Sequence, residues 1–470
     1  MNILIRKVKS SNYAQVAVVF LLAGLSSYVL GRLVINPQMS RFLIFAVLFL
    51  ISFAISLKKP RVVLVGLLLY LPFMGFFRRL LIPHAGWSQF DPLVLLAPVI
   101  VLMLGSYWLY RTYMQRQIIE DDSTLFKLIR VLVLLEVLQI LNPLQGSIMV
   151  GFGGILFYIV PLAWMLMGRL YMNLLWMKRI FMLVVVIGVI SLLYSYKQVN
   201  YGFFSFEEAW IELGGYAALM VGQGARGFSF FTSASEYAQY ITFGAVICWG
   251  LLLQGKKSFK LAAIILLPLF FYAIMMTGSR GPLLFTIVAI AIMTIMSVRQ
   301  LKTRVLVTGL VAFGLVFTYQ FIISIDASNN ELIARQVNGF ANPTDEKHST
   351  LGLHWAIFVE GIKNGFSNPI GDGLGSTTLA GKKFSENHVN SEVDLSNMFT
   401  SLGLFGGILY MFIIFHVLKL AFRHCRDGVV FMSILGILIC SIGSWAIGGN
   451  YSTAILIWLC IGFLDRYKLS

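Results

Sequence analysis

The sequence predicts an all-α polytopic membrane protein, and three observations carry that prediction. Hydrophobic residues make up 58% of the 470 and charged residues only 12%, about half the charged share of an ordinary soluble domain. Mean hydropathy is +0.83. Apolar runs of roughly 17–25 residues recur along the whole length, each long enough to cross a hydrocarbon core of about 30 Å as a helix. The expectation is about 12–14 transmembrane helices, with a long outer loop that contains short helices.

In chain order the runs fall near 13–31, 41–57, 61–77, 91–110, 125–142, 148–167, 179–196, 235–254, 259–277, 282–298, 304–324, 398–418, 428–448 and 451–465. The first has a basic flank without a persuasive cleavage site and reads as a retained helix. The third runs into Arg78-Arg79, and the last two can also be read as a hairpin re-entering around Gly448-Gly449-Asn450. Glu136, inside the fifth run, is expected to face the bundle interior, either as a hydrogen-bond partner or lining a lipid groove. With no internal repeat, the chain reads as one unit. N-terminal transmembrane helices occupy 1–195, a first outer loop 196–234, further helices 235–324, the large outer loop 325–397 and C-terminal helices 398–470.

Orientation follows from the basic residues. The net charge is +16, but Lys and Arg fall in short clusters at alternate segment ends, such as Arg6-Lys7, Lys58-Lys59, Lys178-Arg179, Lys256-Lys257 and Arg423 with Arg426. Placing those clusters inside leaves few cations in the short outer loops: Arg32, Arg41, Arg78, Arg79 and Arg280. This bias makes both termini cytoplasmic and puts 196–234 and 325–397 outside. Scattered topogenic clusters make membrane lipid, and no nucleic acid, the expected partner. Cys248, Cys440 and Cys460 lie in apolar runs and Cys425 in an inner segment, so neither a disulfide of the outer loops nor a zinc site is expected. The outer carboxylates lack clustered spacing, and no metal or other cofactor is expected.

The few groups able to do acid–base chemistry are concentrated. Of 20 acidic residues, nine lie between 325 and 397, and that loop ends in Glu386-Asn387-His388, Glu392, Asp394 and Ser396-Asn397. Asp394 also suits the start of the following helix as a cap. Leu351 to Asn364 has helical apolar spacing and reads as an amphipathic helix over the cavity or on the membrane surface. His348, His354 and Lys382-Lys383 read as packing or solvated positions. In the first outer loop, Gly224-Ala225-Arg226-Gly227-Phe228 places a guanidinium just before a span, and Ser233 with Glu236 has the spacing of a capping box. Thr277-Gly278-Ser279-Arg280-Gly281-Pro282 is a tight turn that suits helix initiation and breaks the inside bias with Arg280. Two arginines on one face suit a phosphate or diphosphate, because a guanidinium is a planar, bidentate, permanently charged donor.

These features, in this order, resemble the O-antigen ligase and polymerase family of bacterial polysaccharide assembly. The likeness covers roughly 220–420: an outer Arg-Gly-Phe, a Ser-Arg-Gly turn, Arg335 and Trp355, Pro369-Ile370-Gly371-Asp372-Gly373-Leu374-Gly375, then a polar motif leading into Gly403-Leu404-Phe405-Gly406-Gly407. The resemblance implies a metal-independent glycosyltransferase of GT-C-like fold in the bacterial inner membrane, working at its outer face. Its donor and acceptor would be undecaprenyl-diphosphate-linked glycans, with a chain-length regulator protein as a further partner. Arg226 and Arg280, with Arg335 as a third, would hold the departing diphosphate. A base would deprotonate the acceptor hydroxyl. Here the chain departs from the family pattern, whose His-Asn offset from Gly403 lands on Glu392-Val393, so the base is His388, Glu392 or Asp394. That departure, and the likeness of Ser396-Asn397 and the following residues to polymerase-like members, favours a polymerase. The alternatives are an O-antigen ligase, which passes the glycan to lipid A–core, and a transporter or flippase.

Overall fold

The structure is a computed structural model describing residues 39–88, 91–114, 123–214, 220–221, 224–327, 330–345, 350–385, 389, 393–446 and 450–467. Among these the chain is helical, apart from a two-residue antiparallel ladder in which Met220 pairs with Ala225 and Val221 with Gly224. The helices are α1 Ser40–Ser56, α2 Pro60–Leu80, α3 Ile82–Ala85, α4 Leu96–Leu109, α5 Thr124–Gln139, α6 Ile148–Phe157, α7 Ile159–Tyr171, α8 Leu174–Tyr201 and α9 Ser205–Gly214. They continue as α10 Ala234–Gln254, α11 Lys257–Met276, α12 Arg280–Ser297, α13 Leu301–Ser324, α14 Glu331–Ala341, α15 Leu351–Ser367, α16 Leu379–Phe384, α17 Asp394–His424, α18 Val429–Cys440 and α19 Tyr451–Tyr467.

Eight segments among the described residues are long and apolar enough to cross a membrane: α2, Pro92–Thr112, Ile148–Tyr171, α8, α11, α12, α13 and α17. The chain is therefore an α-helical protein of multi-pass membrane type. Every expected run from residue 41 onward meets a helix, and the first, 13–31, lies outside the described residues. The smaller number has local causes. α5 has 16 residues, and the first turns of α10 carry Glu236, Gln239 and Thr242. The 428–448 run is helical for only 12 residues; at Ser441 the chain turns, with Ser444 N–H bonded to Ser441 O at 2.9 Å. Asp394 captures the Trp445 N–H at 2.9 Å, which draws the turn back into the protein.

The core runs along α10 and α19, both mainly apolar and buried over almost their whole length, as expected of helices enclosed by others. α10 packs against α8, α11, α12 and α18, and α19 against α7. α13 is the opposite case, apolar all round but with only 6% of its spanning window buried; a lipid-facing helix needs no polar face.

Three of the arginines assigned to outer loops, Arg41, Arg78 and Arg79, are not loop cations, and Arg32 lies outside the described residues. α2 continues through both Arg78 and Arg79, because each guanidinium finds acceptors inside the protein. Arg78 Nε donates to Asp91 at 3.1 Å, and Arg41, in α1, bonds the same carboxylate. Arg79 donates to Phe231 O at 2.7 Å and Ser229 O at 2.6 Å and lies over the Phe228 ring. The three are buried and act as staples, not as topological signals.

Candidate functional site

The segment leading into α10 is held from beneath. Gln198 of α8 accepts the N–H groups of Phe228 and Ser229 at 3.1 and 2.7 Å, and Arg79 takes the carbonyls of Ser229 and Phe231. Phe228 and Phe231 are fully enclosed. Ser233 caps α10 as its spacing predicts, accepting from Glu236 N–H at 3.1 Å. The reciprocal half differs: Glu236 accepts from Thr232 N–H at 3.2 Å and from Ser452 N–H at 2.8 Å, so it ties the loop to α19. Arg226 is left at the lip of this rigid segment.

The turn between α11 and α12 meets it there. Gly278 takes a left-handed conformation, φ +62°, and its carbonyl accepts from Arg226 Nη2 at 3.3 Å. Arg280 opens α12 with Ser279 at the N-cap. α14 lies across the same turn. Gln336 Nε2 is anchored on the Ile274 and Met275 carbonyls, both at 3.2 Å, and Leu332 and Val337 are buried. A methyl group on Gly339 would stand 2.1 Å from Arg280 Nη1, so the missing side chain leaves a berth for that guanidinium. Arg280 Nη2 also reaches Thr350 Oγ1 at 3.3 Å, ahead of α15.

The outcome is that Arg226, Arg280 and Arg335 come together. Burial is the largest cause that brings Arg226 down to about 10, followed by the charges of Arg335 and Arg280. Arg226 Nε is buried without a hydrogen-bond partner. Among the described residues neither Arg226 nor Arg335 has a carboxylate partner. Three other buried arginines are paired, Arg41 and Arg78 with Asp91 and Arg169 with Asp465, while Arg79 is held by the Ser229 and Phe231 carbonyls and the Phe228 ring. Guanidinium groups gathered in this way are suited by their chemistry to an oxyanion.

The proposed bases divide differently. His388 and Glu392 lie outside the described residues. Asp394 has no exposed surface; its Oδ2 accepts from Tyr410 O–H at 2.8 Å and from Trp445 N–H. Its own N–H donates to Gly443 O at 3.0 Å. Asp394 therefore fastens the start of α17 to the turn after α18, and the helix N-cap is Val393.

The Pro-Gly loop serves as scaffold. α17 is kinked at Gly403, φ +71° and ψ −165°. The loop satisfies the groups that the kink frees: Leu404 N–H to Pro369 O at 3.2 Å, Asp372 N–H to Thr400 O at 2.9 Å, and Gly373 N–H to Ser401 O at 3.1 Å. Asp372 is held by Asn364 at 2.5 Å and Asn368 at 2.7 Å. α15 packs on α17 and exposes Leu351, Leu353 and Trp355, which fits the amphipathic helix expected there. His354 Nε2 meets Thr350 Oγ1 at 3.1 Å, and Lys382 and Lys383 are exposed; His348 lies outside the described residues.

Sequence reasoning missed Arg79, Gln198 and Gln336, which place the cluster without joining it. A signal existed for Arg79, a charge adjoining an apolar run; the two glutamines gave none. No family model and no curated protein matches the chain.

Proposed function

We propose that the chain is a glycosyltransferase of GT-C-like architecture that polymerises undecaprenyl-diphosphate-linked oligosaccharide repeat units into O-antigen or exopolysaccharide at the outer face of a bacterial inner membrane. The observation that carries this reading is the gathering of Arg226, Arg280 and Arg335 without carboxylate partners for Arg226 and Arg335 among the described residues. Glycosyl transfer from a lipid diphosphate develops negative charge on the leaving group, and preorganised cations aimed at it lower the barrier. The three guanidiniums supply that charge from rigid supports.

The acceptor hydroxyl loses its proton to a base drawn from His388, Glu392 and Asp394. Because Asp394 already receives Tyr410 and Trp445, its part is to anchor the segment that carries the other two. Exposed Trp355 and its apolar neighbours on α15 suit contact with lipid headgroups or glycan.

The test uses the purified full chain with carrier-linked repeat units alone. Elongation by the wild type, and a fall of about 10²–10³ in rate for Arg226→Ala and Arg280→Ala, is the expected result. Undiminished polymer from both variants removes the catalytic assignment. Elongation that starts only when lipid A–core is supplied replaces the polymerase by a ligase.

A further inference from the structure

Glu136 lies in the last turn of α5 and has no exposed surface. Neither of its carboxyl oxygens has a hydrogen-bond partner. Neither role expected for it fits, since a structural hydrogen-bond partner would be bonded and a group lining a lipid groove would have exposed surface. Its surroundings are polar. Tyr158 O–H meets Thr377 Oγ1 at 2.6 Å and Ser401 Oγ at 3.4 Å. Tyr410 O–H and Trp445 N–H donate to Asp394 Oδ2, and the Leu395 and Ala446 N–H groups also support that carboxyl. Glu136 and Asp394 both lie near enough to Tyr158 and Tyr410 to act on them electrostatically.

Four buried titratable groups thus lie within electrostatic reach in the region between α5, α17 and the junction of α6 with α7. No Lys or Arg is among the charges acting on either carboxyl group. A carboxylate in a low-dielectric interior without a donor or a counter-ion is costly by several kcal/mol. A carboxylic acid kept there only as a hydrogen-bond donor needs an acceptor in reach, and Glu136 has none. The missing element is a positive charge of small size. Glu136 lies one turn before a polar surface, because Gln139, at the end of α5, donates to Ile370 O at 2.6 Å and accepts from Leu374 N–H at 3.2 Å.

We propose that Glu136 takes up an exchangeable monovalent cation, a proton or Na⁺. A proton requires one Glu136 oxygen, and Na⁺ draws on both, which are hard oxygen ligands. The arginine cluster takes no part, so the inference stands apart from the transfer reaction.

Infrared difference spectra of the full chain in lipid vesicles test it, using choline chloride as the sodium-free salt. The expected result is a protonated-carboxyl carbonyl band that fades as pH rises, or at constant pH as NaCl replaces choline chloride, and that is absent from Glu136→Gln. Fading with pH alone identifies the proton; fading with NaCl identifies Na⁺. Should the variant fail to fold, ¹³C-glutamate in the wild type shifts the band if a glutamate carries it. A band missing at every pH, unchanged by both pH and Na⁺, retained in Glu136→Gln, or unshifted by ¹³C-glutamate overturns the proposal.

Discussion

Removing one charge from the arginine cluster should make the empty protein more stable and its anion binding weaker. Arg335→Gln is the perturbation to use, because it keeps most of the side-chain stem and leaves Arg226 and Arg280 in place. Each tenfold change in proton affinity is worth about 1.4 kcal/mol. Arg226, brought down to about 10, therefore carries a penalty of roughly 3 kcal/mol for keeping its charge, before allowance for solvent. Its guanidinium is half-buried, so screening reduces this to about 1–2 kcal/mol. Burial is the largest cause and the two arginines share the rest, which leaves roughly 0.5 kcal/mol for Arg335. In a chain of this size that raises Tm by about 1 °C.

Inorganic pyrophosphate provides the complementary reading. In the wild type its binding should stabilise the protein by mass action, and loss of one guanidinium should weaken binding about 5–10-fold, or roughly 1–1.4 kcal/mol. Thermal unfolding in detergent at low salt, with pyrophosphate titrated in, reads both quantities. An empty variant less stable than wild type, together with an unchanged response to pyrophosphate, would refute the reasoning. The sign of the pH dependence is also fixed. The folded-state value of Arg226 lies below its unfolded one, so its penalty is fully present below pH of about 10 and is relieved as pH rises through that value. Pyrophosphate affinity should be flat from about pH 7 to 9 and fall above about 10, where Arg226 loses its charge; Arg335→Gln should move that fall upward.

Three further outcomes are expected. Gly339→Ala should fold, because the added methyl group meets the mobile end of Arg280 at 2.1 Å, yet lose most of its response to pyrophosphate; retained binding would deny that Gly339 makes room for the guanidinium. Gly403→Ala should be destabilised by about 3 kcal/mol or more, since φ is +71° and the new methyl group would stand 2.0 Å from Pro369 O; a Tm within about 1 °C of wild type would show that the kink is not rigid. Tyr410→Phe should lower stability by about 1–3 kcal/mol by depriving the buried Asp394 of a donor, seen as a lower Tm without loss of pyrophosphate binding.

The helices were legible because apolar runs of membrane length have one main solution in lipid, a helix with internally satisfied backbone. Their ends were not. α18 stops at Cys440 because of what Asp394, 51 residues away, does with the Trp445 N–H, and no local pattern encodes that pairing. The arginines of the site were legible as charges out of place, Arg226 before a span and Arg280 against the inside bias. Arg41, Arg78 and Arg79 gave the same signal and turned out to be staples. What marks the staples is Asp91 beside Arg41 and Arg78 and the Ser229 and Phe231 carbonyls around Arg79, whereas among the described residues no carboxylate pairs with Arg226 or Arg335, a property of the folded chain that sequence spacing cannot display.

That contrast bears on how the charges of the molecule are arranged. Among the described residues the guanidiniums of Arg226 and Arg335 have no carboxylate partner and the carboxyls of Glu136 and Asp394 have no cationic one, and the two sets are not paired with each other. The charges acting on Arg226 are other arginines, and those on Glu136 and Asp394 include no cation. A chain selected for stability alone would join them or replace them with apolar residues of similar volume, an exchange that is often neutral or favourable for buried pairs. Here each group is instead kept on a rigid support: Gln336 on the α11 carbonyls beside the arginines, Tyr410 and Trp445 around Asp394. Energy spent on holding like charges apart from their opposites is recovered only when a ligand arrives. The oxyanion proposed at the arginines and the small cation proposed at Glu136 would each recover part of that cost.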